Sequence, residues 1–357
     1  MQPFAKTLPQ TISVEKTFSF KYKMDGMEKR ATLKNISRAL NMSISTISRA
    51  LKNHPDISEE TKKRVQEAAS MMDYEPNTFA INLRTDKRNM VGIIIPTITN
   101  FFYQSFIAAV EEEAKKNDYS VLILQSSDNP EAEIENLKIC RLNRVAAVFI
   151  SISPKTKDIS PFLKLSQTTP IIFFDKVPPY EAFDKVCIDD EGAATIAAEE
   201  IIKKTKGKVL GLFGDPELSI TQKRITAFQN IFTSHKRITD LDIAYASSTE
   251  EANQQTSIAF SKKNKPSVVF CMSDEILAGT VKALQQFKIK IPGDVKAITI
   301  SNDGFIPKLF EPEITYVETS GYGLGKLCFK RMTDFNAGKT FIQEVLQPAR
   351  LVTGASI

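Results

Sequence analysis

The sequence predicts an α/β protein in two parts: a small N-terminal three-helix module and a two-lobed body built on parallel sheets. Three observations carry this. Between Ala31 and Tyr74, apolar residues recur at helical spacing in short bursts separated by capping residues. From Met90 onward, short apolar runs alternate with longer helical stretches, as in parallel strands covered by helices on both faces. That alternation continues for about 270 residues, long for one sheet and suited to two lobes with a cleft between them.

Residues 1–27 show no clear period and are expected to be a disordered tail. The module occupies residues 28–76. Leu33, Ile36 and Leu40 fall at helical spacing, and Asn41-Met42 interrupts them. Ser43 can then cap a second short helix carrying Ile44, Ile47 and Leu51. Two helices joined by so tight a turn cross steeply, as in a helix-turn-helix. The second would expose Ser45, Thr46, Ser48, Arg49 and Lys52, groups suited to base edges and phosphates in a DNA major groove. The same pattern also fits a polar helical hairpin on any globular protein. A third helix begins at Ser58, with Glu59 and Glu60 favouring the dipole of its first turn and Val65, Ala68, Ala69 and Met72 on its buried side. Pro76 ends the module, because the residue before a proline is pushed out of helical geometry. Residues 77–88 form a linker whose segment 77–84 is too short to be a stable isolated helix.

The body spans residues 89–357. Strands are expected at 91–95, 119–124, 146–151, 171–174, 208–213, 268–271 and 296–301. Helices are expected at 101–116, 131–143, 191–204, 221–234 and 274–287. Ligands of open α/β sheets bind outside the strand carboxyl ends.

Charge is unevenly placed. The chain has a net charge of +5, yet residues 28–88 alone hold 12 Lys/Arg against 8 Asp/Glu. The excess lies where a nucleic-acid contact would need it. Cys140, Cys187, Cys271 and Cys328 are widely spaced with no Cys-x-x-Cys, so buried reduced thiols in a cytoplasm are expected. No apolar run reaches 18 residues, which argues against a membrane span, and the N-terminus has no secretory pattern. With only His54 and His235, no cluster has metal-ligand spacing. No paired-carboxylate or Ser/His/Asp set points to catalysis. Gly321-Tyr322-Gly323-Leu324-Gly325-Lys326 has neither P-loop nor Rossmann spacing and is expected to open a structural helix.

The N-terminal stretch resembles the headpiece of the lactose/galactose-repressor (LacI/GalR) family of bacterial transcription regulators. The matching residues are Thr32-Leu33, Ile36, Ser43, Thr46-Ile47-Ser48-Arg49, Ser58, Thr61, Val65, Ala68, Tyr74, Pro76-Asn77, Ala80 and Leu83-Arg84-Thr85. Asn41 replaces the family's turn glycine, and asparagine tolerates the same left-handed backbone. Ser37, Leu40 and the Ile81-Asn82 pair also depart from the pattern. The resemblance continues through Asn100-Phe101-Phe102, Phe174-Asp175-Lys176, Arg224, Ser273-Asp274-Glu275 and Ser301-Asn302-Asp303, with Thr299-Ile300 departing from the usual Gly-aromatic pair.

The resemblance implies a helix-turn-helix headpiece and a periplasmic-binding-protein-like effector domain. It implies DNA contacts from Thr32, Leu33, Ser43, Ile44, Ser45, Thr46, Ser48, Arg49, Lys52, Asn77 and Ala80, with Leu83 as a minor-groove wedge. It implies effector contacts from Phe101, Phe102, Asp175, Arg224, Ser273, Asp274, Ser301 and Asn302. Each of these has a plainer reading: core packing for the phenylalanines, capping of the next segment for Asp175 and helix capping for Asp274. The reading as a whole is of a cytoplasmic repressor, a homodimer on a palindromic operator of double-stranded DNA. Its affinity would be set by a small-molecule effector such as a sugar, with no cofactor, metal or membrane involved. Because the terminal Leu351-Val352-Thr353-Gly354-Ala355-Ser356-Ile357 cannot supply the several heptads a coiled coil requires, a tetramerising coiled coil is not expected. The alternative is a transport-type two-lobed binding protein, which has no use for the N-terminal module.

Overall fold

The computed structural model describes residues 31–76, 88–235, 240–339 and 343–357, which fall into two compact units. The first contains α1 (Leu33–Leu40), α2 (Ile44–Leu51) and α3 (Glu59–Met71). Ile36, Ile47, Ala50, Val65 and Ala69 form its buried centre, one or two from each helix. Local chemistry sets the boundaries. Thr32 and Asn35 cap α1 reciprocally. Asn41 takes the left-handed backbone (φ 52°) that closes α1, as its residue type predicts. Ser58 caps α3, accepting from the Thr61 N–H.

The second unit begins with β1 (Met90–Ile95), α4 (Phe101–Lys116), β2 (Ser120–Gln125), α5 (Pro130–Leu142), β3 (Ala147–Ile150), α6 (Ser160–Ser166), β4 (Ile171–Phe174) and β5 (Asp184–Ile188). It continues with α7 (Asp190–Lys204), β6 (Val209–Phe213), α8 (Ser219–Ser234), β7 (Leu241–Tyr245), α9 (Thr249–Ser261), β8 (Val268–Cys271), α10 (Asp274–Gln286), β9 (Lys296–Asn302) and β10 (Thr315–Thr319). Last come α11 (Gly321–Asn336), β11 (Glu344–Gln347) and β12 (Arg350–Val352). The strands make two six-stranded sheets, ordered β11-β5-β4-β3-β1-β2 and β12-β10-β9-β8-β6-β7. Every pairing is parallel except β10 with β12. Strands β3, β4, β6 and β8 are buried along their whole length, which explains their unbroken apolar runs.

Each expected strand and helix is present, with ends shifted by at most two residues. Strands β5, β7, β10, β11 and β12 and helices α6 and α9 lie outside the expected set. Strands β7 and β11 are half-buried edges with mixed side chains, and α9 is largely polar.

The chain passes between the sheets after β5, after β10 and after β11, so two lobes share three crossings. Helix α11 returns to the first lobe and packs along α4. Its glycine run is a packing device, as expected of a structural helix. A Cβ at Gly321 would collide with the Phe102 carbonyl oxygen, and one at Gly325 with that of Phe106. This close approach fixes α4, whose first turn faces the cleft. All four cysteines are buried free thiols, and burial pushes the Cys140, Cys187 and Cys271 thiols up to about 12. No helix among the described residues is long and apolar enough to cross a membrane.

Candidate functional site

In the first unit, α2 separates its two faces sharply. Ile47 and Ala50 are fully buried, whereas Ser45, Arg49 and Lys52 are exposed and Thr46 and Ser48 half-buried between them. Positions 45, 49 and 52 recur at helical spacing, so their side chains share one stripe. Ser43 caps the helix, its Oγ accepting from the Thr46 N–H at 3.0 Å. The same oxygen lies 2.7 Å from Ser45 Oγ and 2.8 Å from Thr46 Oγ1. Hydroxyls and free N–H groups therefore meet at the positive end of the helix dipole, an arrangement suited to phosphate.

Ile44 departs from its expected place. It was assigned to the apolar side with Ile47 and Leu51 but is 47% exposed. As the first residue of α2 it projects beyond the end of the small core, so it belongs with the polar stripe as surface. Thr32 is exposed as the α1 cap, and Leu33 is half-buried against the core. Asn77, Ala80 and Leu83 lie outside the described residues.

In the second unit, a cleft of about 330 Å³ opens at the carboxyl ends of strands from both sheets. Phe101 and Phe102 line it from the first turn of α4, which Asn100 caps by accepting from the Phe102 N–H at 2.8 Å. Asp175 follows β4 in a left-handed conformation (φ 57°) and accepts from the Tyr103 hydroxyl at 2.6 Å. Burial pushes its carboxyl up, with Tyr103 pulling it back down. Tyr103 rises further, through burial and then the nearby Asp175 charge. Lys176 Nζ reaches Asp128 Oδ1 at 3.2 Å.

On the opposite lobe, Arg224 of α8 is held by Asp190. Its Nε and Nη2 lie 2.8 and 2.7 Å from Asp190 Oδ1, and its Nη1 donates to the Met272 carbonyl at 3.0 Å. The planar guanidinium thereby has one fixed orientation at the cleft wall. Ser273 caps α10 and lines the cleft. Asp274 is 5% exposed and accepts from Ser301 Oγ at 2.6 Å and from the Asn302 N–H at 2.9 Å. Burial pushes its carboxyl up to about 6 despite both hydrogen bonds. Asn302 joins the lobes, donating to the Phe101 carbonyl at 3.3 Å and accepting from the Gly321 N–H at 2.8 Å.

Seven of the eight expected effector residues line this cleft; Ser301 does not. Alternate strand residues face opposite ways, so Ile300 and Asn302 border the cleft while Ser301 turns inward to hold Asp274. It positions a cleft residue from behind the lining. Tyr103, Asp128, Lys176 and Glu275 line the cleft without having been assigned. Lys176 and Glu275 adjoin assigned residues, and Asp128 follows the carboxyl end of β2, where a strand-end search would have found it.

Family comparison matches residues 32–77 to the bacterial regulatory proteins of the lacI family. Residues 88–354 match the periplasmic binding proteins and sugar binding domain of the LacI family. Among similar proteins, the HTH-type transcriptional regulator RegA of Clostridium acetobutylicum is 28% identical, covering 83% of this chain and 90% of its own. Catabolite control protein A of Priestia megaterium is 24% identical over 88% of this chain and 96% of its own. Among solved structures, the lac repressor dimer bound to operator and the anti-inducer ONPF superposes with a TM-score of 0.80. It shares 18% identity and covers 92% of this chain and 99% of its own. A periplasmic binding protein/LacI transcriptional regulator from Alkaliphilus metalliredigens complexed with D-xylulofuranose gives a TM-score of 0.65 at 18% identity, covering 75% of this chain and 98% of its own. The curated relatives are transcription regulators, not enzymes. With one family model spanning most of the second unit and another nearly all of the described first unit, this chain belongs to the LacI family of bacterial regulatory proteins.

Proposed function

We propose that this chain is a cytoplasmic repressor that reads a palindromic operator through the exposed stripe of α2 and senses a small molecule in the cleft of its second unit. The observation that carries the reading is the division of α2. Ile47 and Ala50, with Leu51 against them, are taken up by the headpiece core, while Ser45, Thr46, Ser48, Arg49 and Lys52 remain to meet DNA. Thr32, Leu33, Ser43 and Ile44 flank that stripe, and Asn77, Ala80 and Leu83 extend the same reading into the linker. Phe101, Phe102, Asp175, Arg224, Ser273, Asp274 and Asn302 are the proposed effector contacts.

Control then follows from linkage. An effector that prefers one arrangement of the lobes shifts operator affinity by its differential affinity for the two arrangements. Induction and corepression use this coupling with opposite signs. The test is operator selection from random DNA with purified protein, repeated across a panel of metabolites. A single palindromic motif whose recovery responds to one metabolite supports the reading. Small-molecule binding without any selected motif would favour a transport-type binding protein.

Arg49→Ala is expected to weaken specific binding and to relax the selected motif at one position. An arginine paired bidentately with guanine is worth on the order of 1–3 kcal/mol of discrimination. An unaltered motif at unaltered affinity removes Arg49 from base reading.

A palindromic operator requires two headpieces, hence a two-fold dimer. Light scattering at micromolar concentration is expected to give twice the monomer mass; a stable tetramer contradicts this. Helix α10 spends most of its surface inside its own lobe, where Gly279 abuts the Thr249 backbone. Tyr245 on β7 and Ile258 on α9, each more than two-fifths exposed, place apolar surface along the neighbouring edge instead.

A further inference from the structure

The charges lining the cleft do not balance. Four carboxylates border it (Asp128, Asp175, Asp274 and Glu275) against two cations, Lys176 and Arg224. Both cations are already engaged. Lys176 lies 3.2 Å from Asp128, and Arg224 gives two nitrogens to Asp190 and a third to a carbonyl. The remaining acids have neutral partners only. Asp274 accepts from the Ser301 hydroxyl and the Asn302 N–H. Glu275 accepts from the Asn100 side-chain amide across the cleft at 3.1 Å. Asp175 accepts from the Tyr103 and Ser151 hydroxyls. Among the described residues no cation pairs with Asp274 or Glu275.

A carboxylate withdrawn from water without a counter-charge is costly, and a ligand that supplies the charge recovers that cost on binding. The first turn of α4 adds a second feature. Phe101 and Phe102 line the same space, and an aromatic face attracts a cation stripped of water. A phosphorylated sugar or sugar acid would instead bring another negative charge against Asp274 and Glu275. A neutral sugar could donate hydroxyls to them but would leave their charge unmet.

We propose that the effector of this chain carries a protonated nitrogen among its hydroxyls, as an amino sugar does, with the ammonium seated between Asp274–Glu275 and the phenylalanines of α4. This rests on the cleft being the effector site. The test measures thermal shift and calorimetric binding for the full chain against three matched sets: D-glucose, D-galactose and D-mannose, their 2-amino-2-deoxy counterparts, and their 6-phosphates. At least one amino sugar is expected to bind about tenfold tighter than its neutral and phosphorylated counterparts. Glu275→Gln, which keeps shape and removes charge, is expected to erase most of that preference. A neutral or phosphorylated sugar binding tighter than its amine, or no amino sugar binding at all, overturns the proposal. A preference that survives Glu275→Gln overturns the placement of the ammonium. Phe101→Ala separates this from failure of the cleft reading. Binding of a neutral or phosphorylated sugar that Phe101→Ala weakens would leave the cleft as the effector site and reject only the amine. A ligand indifferent to both substitutions would reject the cleft itself.

Discussion

Asp190→Ala is expected to lower the stability of the effector unit by about 3–5 kcal/mol, the range for removing one partner of a buried ion pair. Asp190 and Arg224 are 6% and 9% exposed. The guanidinium makes both its short contacts to one Asp190 oxygen, at 2.7 and 2.8 Å. Without that acid, Arg224 must stay charged in the lobe wall or swing into the cleft it borders. Asp190 also occupies the first turn of α7, where a negative charge offsets the helix dipole. Urea unfolding of the full chain, followed by circular dichroism, measures the loss. The double variant Asp190→Ala/Arg224→Met removes the stranded charge and is expected to recover most of the stability. An unfolding midpoint unmoved by Asp190→Ala would show that the pair is not what holds α7 against α8.

The pair also marks where the sequence was legible and where it was not. Arg224 could be singled out because its place in a helix matches the family pattern, yet nothing local identified Asp190 as its partner. The two are 34 positions apart and meet only because α7 and α8 cover the same lobe. The headpiece is legible in sequence because its determinants are local: serine caps, an asparagine turn and apolar spacing within about a dozen residues. Ile44 escaped that logic, since spacing gives a side chain's direction but not whether neighbouring helices extend far enough to cover it. The buried strands announced themselves as apolar runs. Strands β5, Asp184–Ile188, and β10, Thr315–Thr319, did not, although they are mostly buried, because Asp184 and Lys185 in one and the threonines and Glu318 in the other break the run. Strand ends located most of the cleft, but the alternation at Ile300, Ser301 and Asn302 depends on a one-residue register that sequence left open.

In the headpiece, a single core side chain decides whether the reading surface exists. Ile47→Ala is expected to abolish operator binding, by more than a hundredfold, while leaving effector binding intact. Ile47 is fully buried from the helix that carries Arg49 on its other side, and among the described residues only four further buried apolar side chains share that centre. An isoleucine-to-alanine change in a core costs about 2–5 kcal/mol. A core of this size rarely supplies more than about 3–5 kcal/mol in total. The loss therefore matches the whole stability of the unit, and α2 loses the support that turns Ser45, Arg49 and Lys52 to one side. Ile47→Val removes one methyl group, costs about 0.5–1.5 kcal/mol, and should leave the headpiece folded with affinity within tenfold. Ile44→Ala, at the exposed start of the same helix, should cost little stability and change affinity only through contact with DNA. Gel-shift titration on the selected operator, with calorimetry for the effector, separates these outcomes. If Ile47→Ala bound the operator as wild type does, the headpiece would have to draw its stability from DNA or from a second copy, and not from the three-helix core.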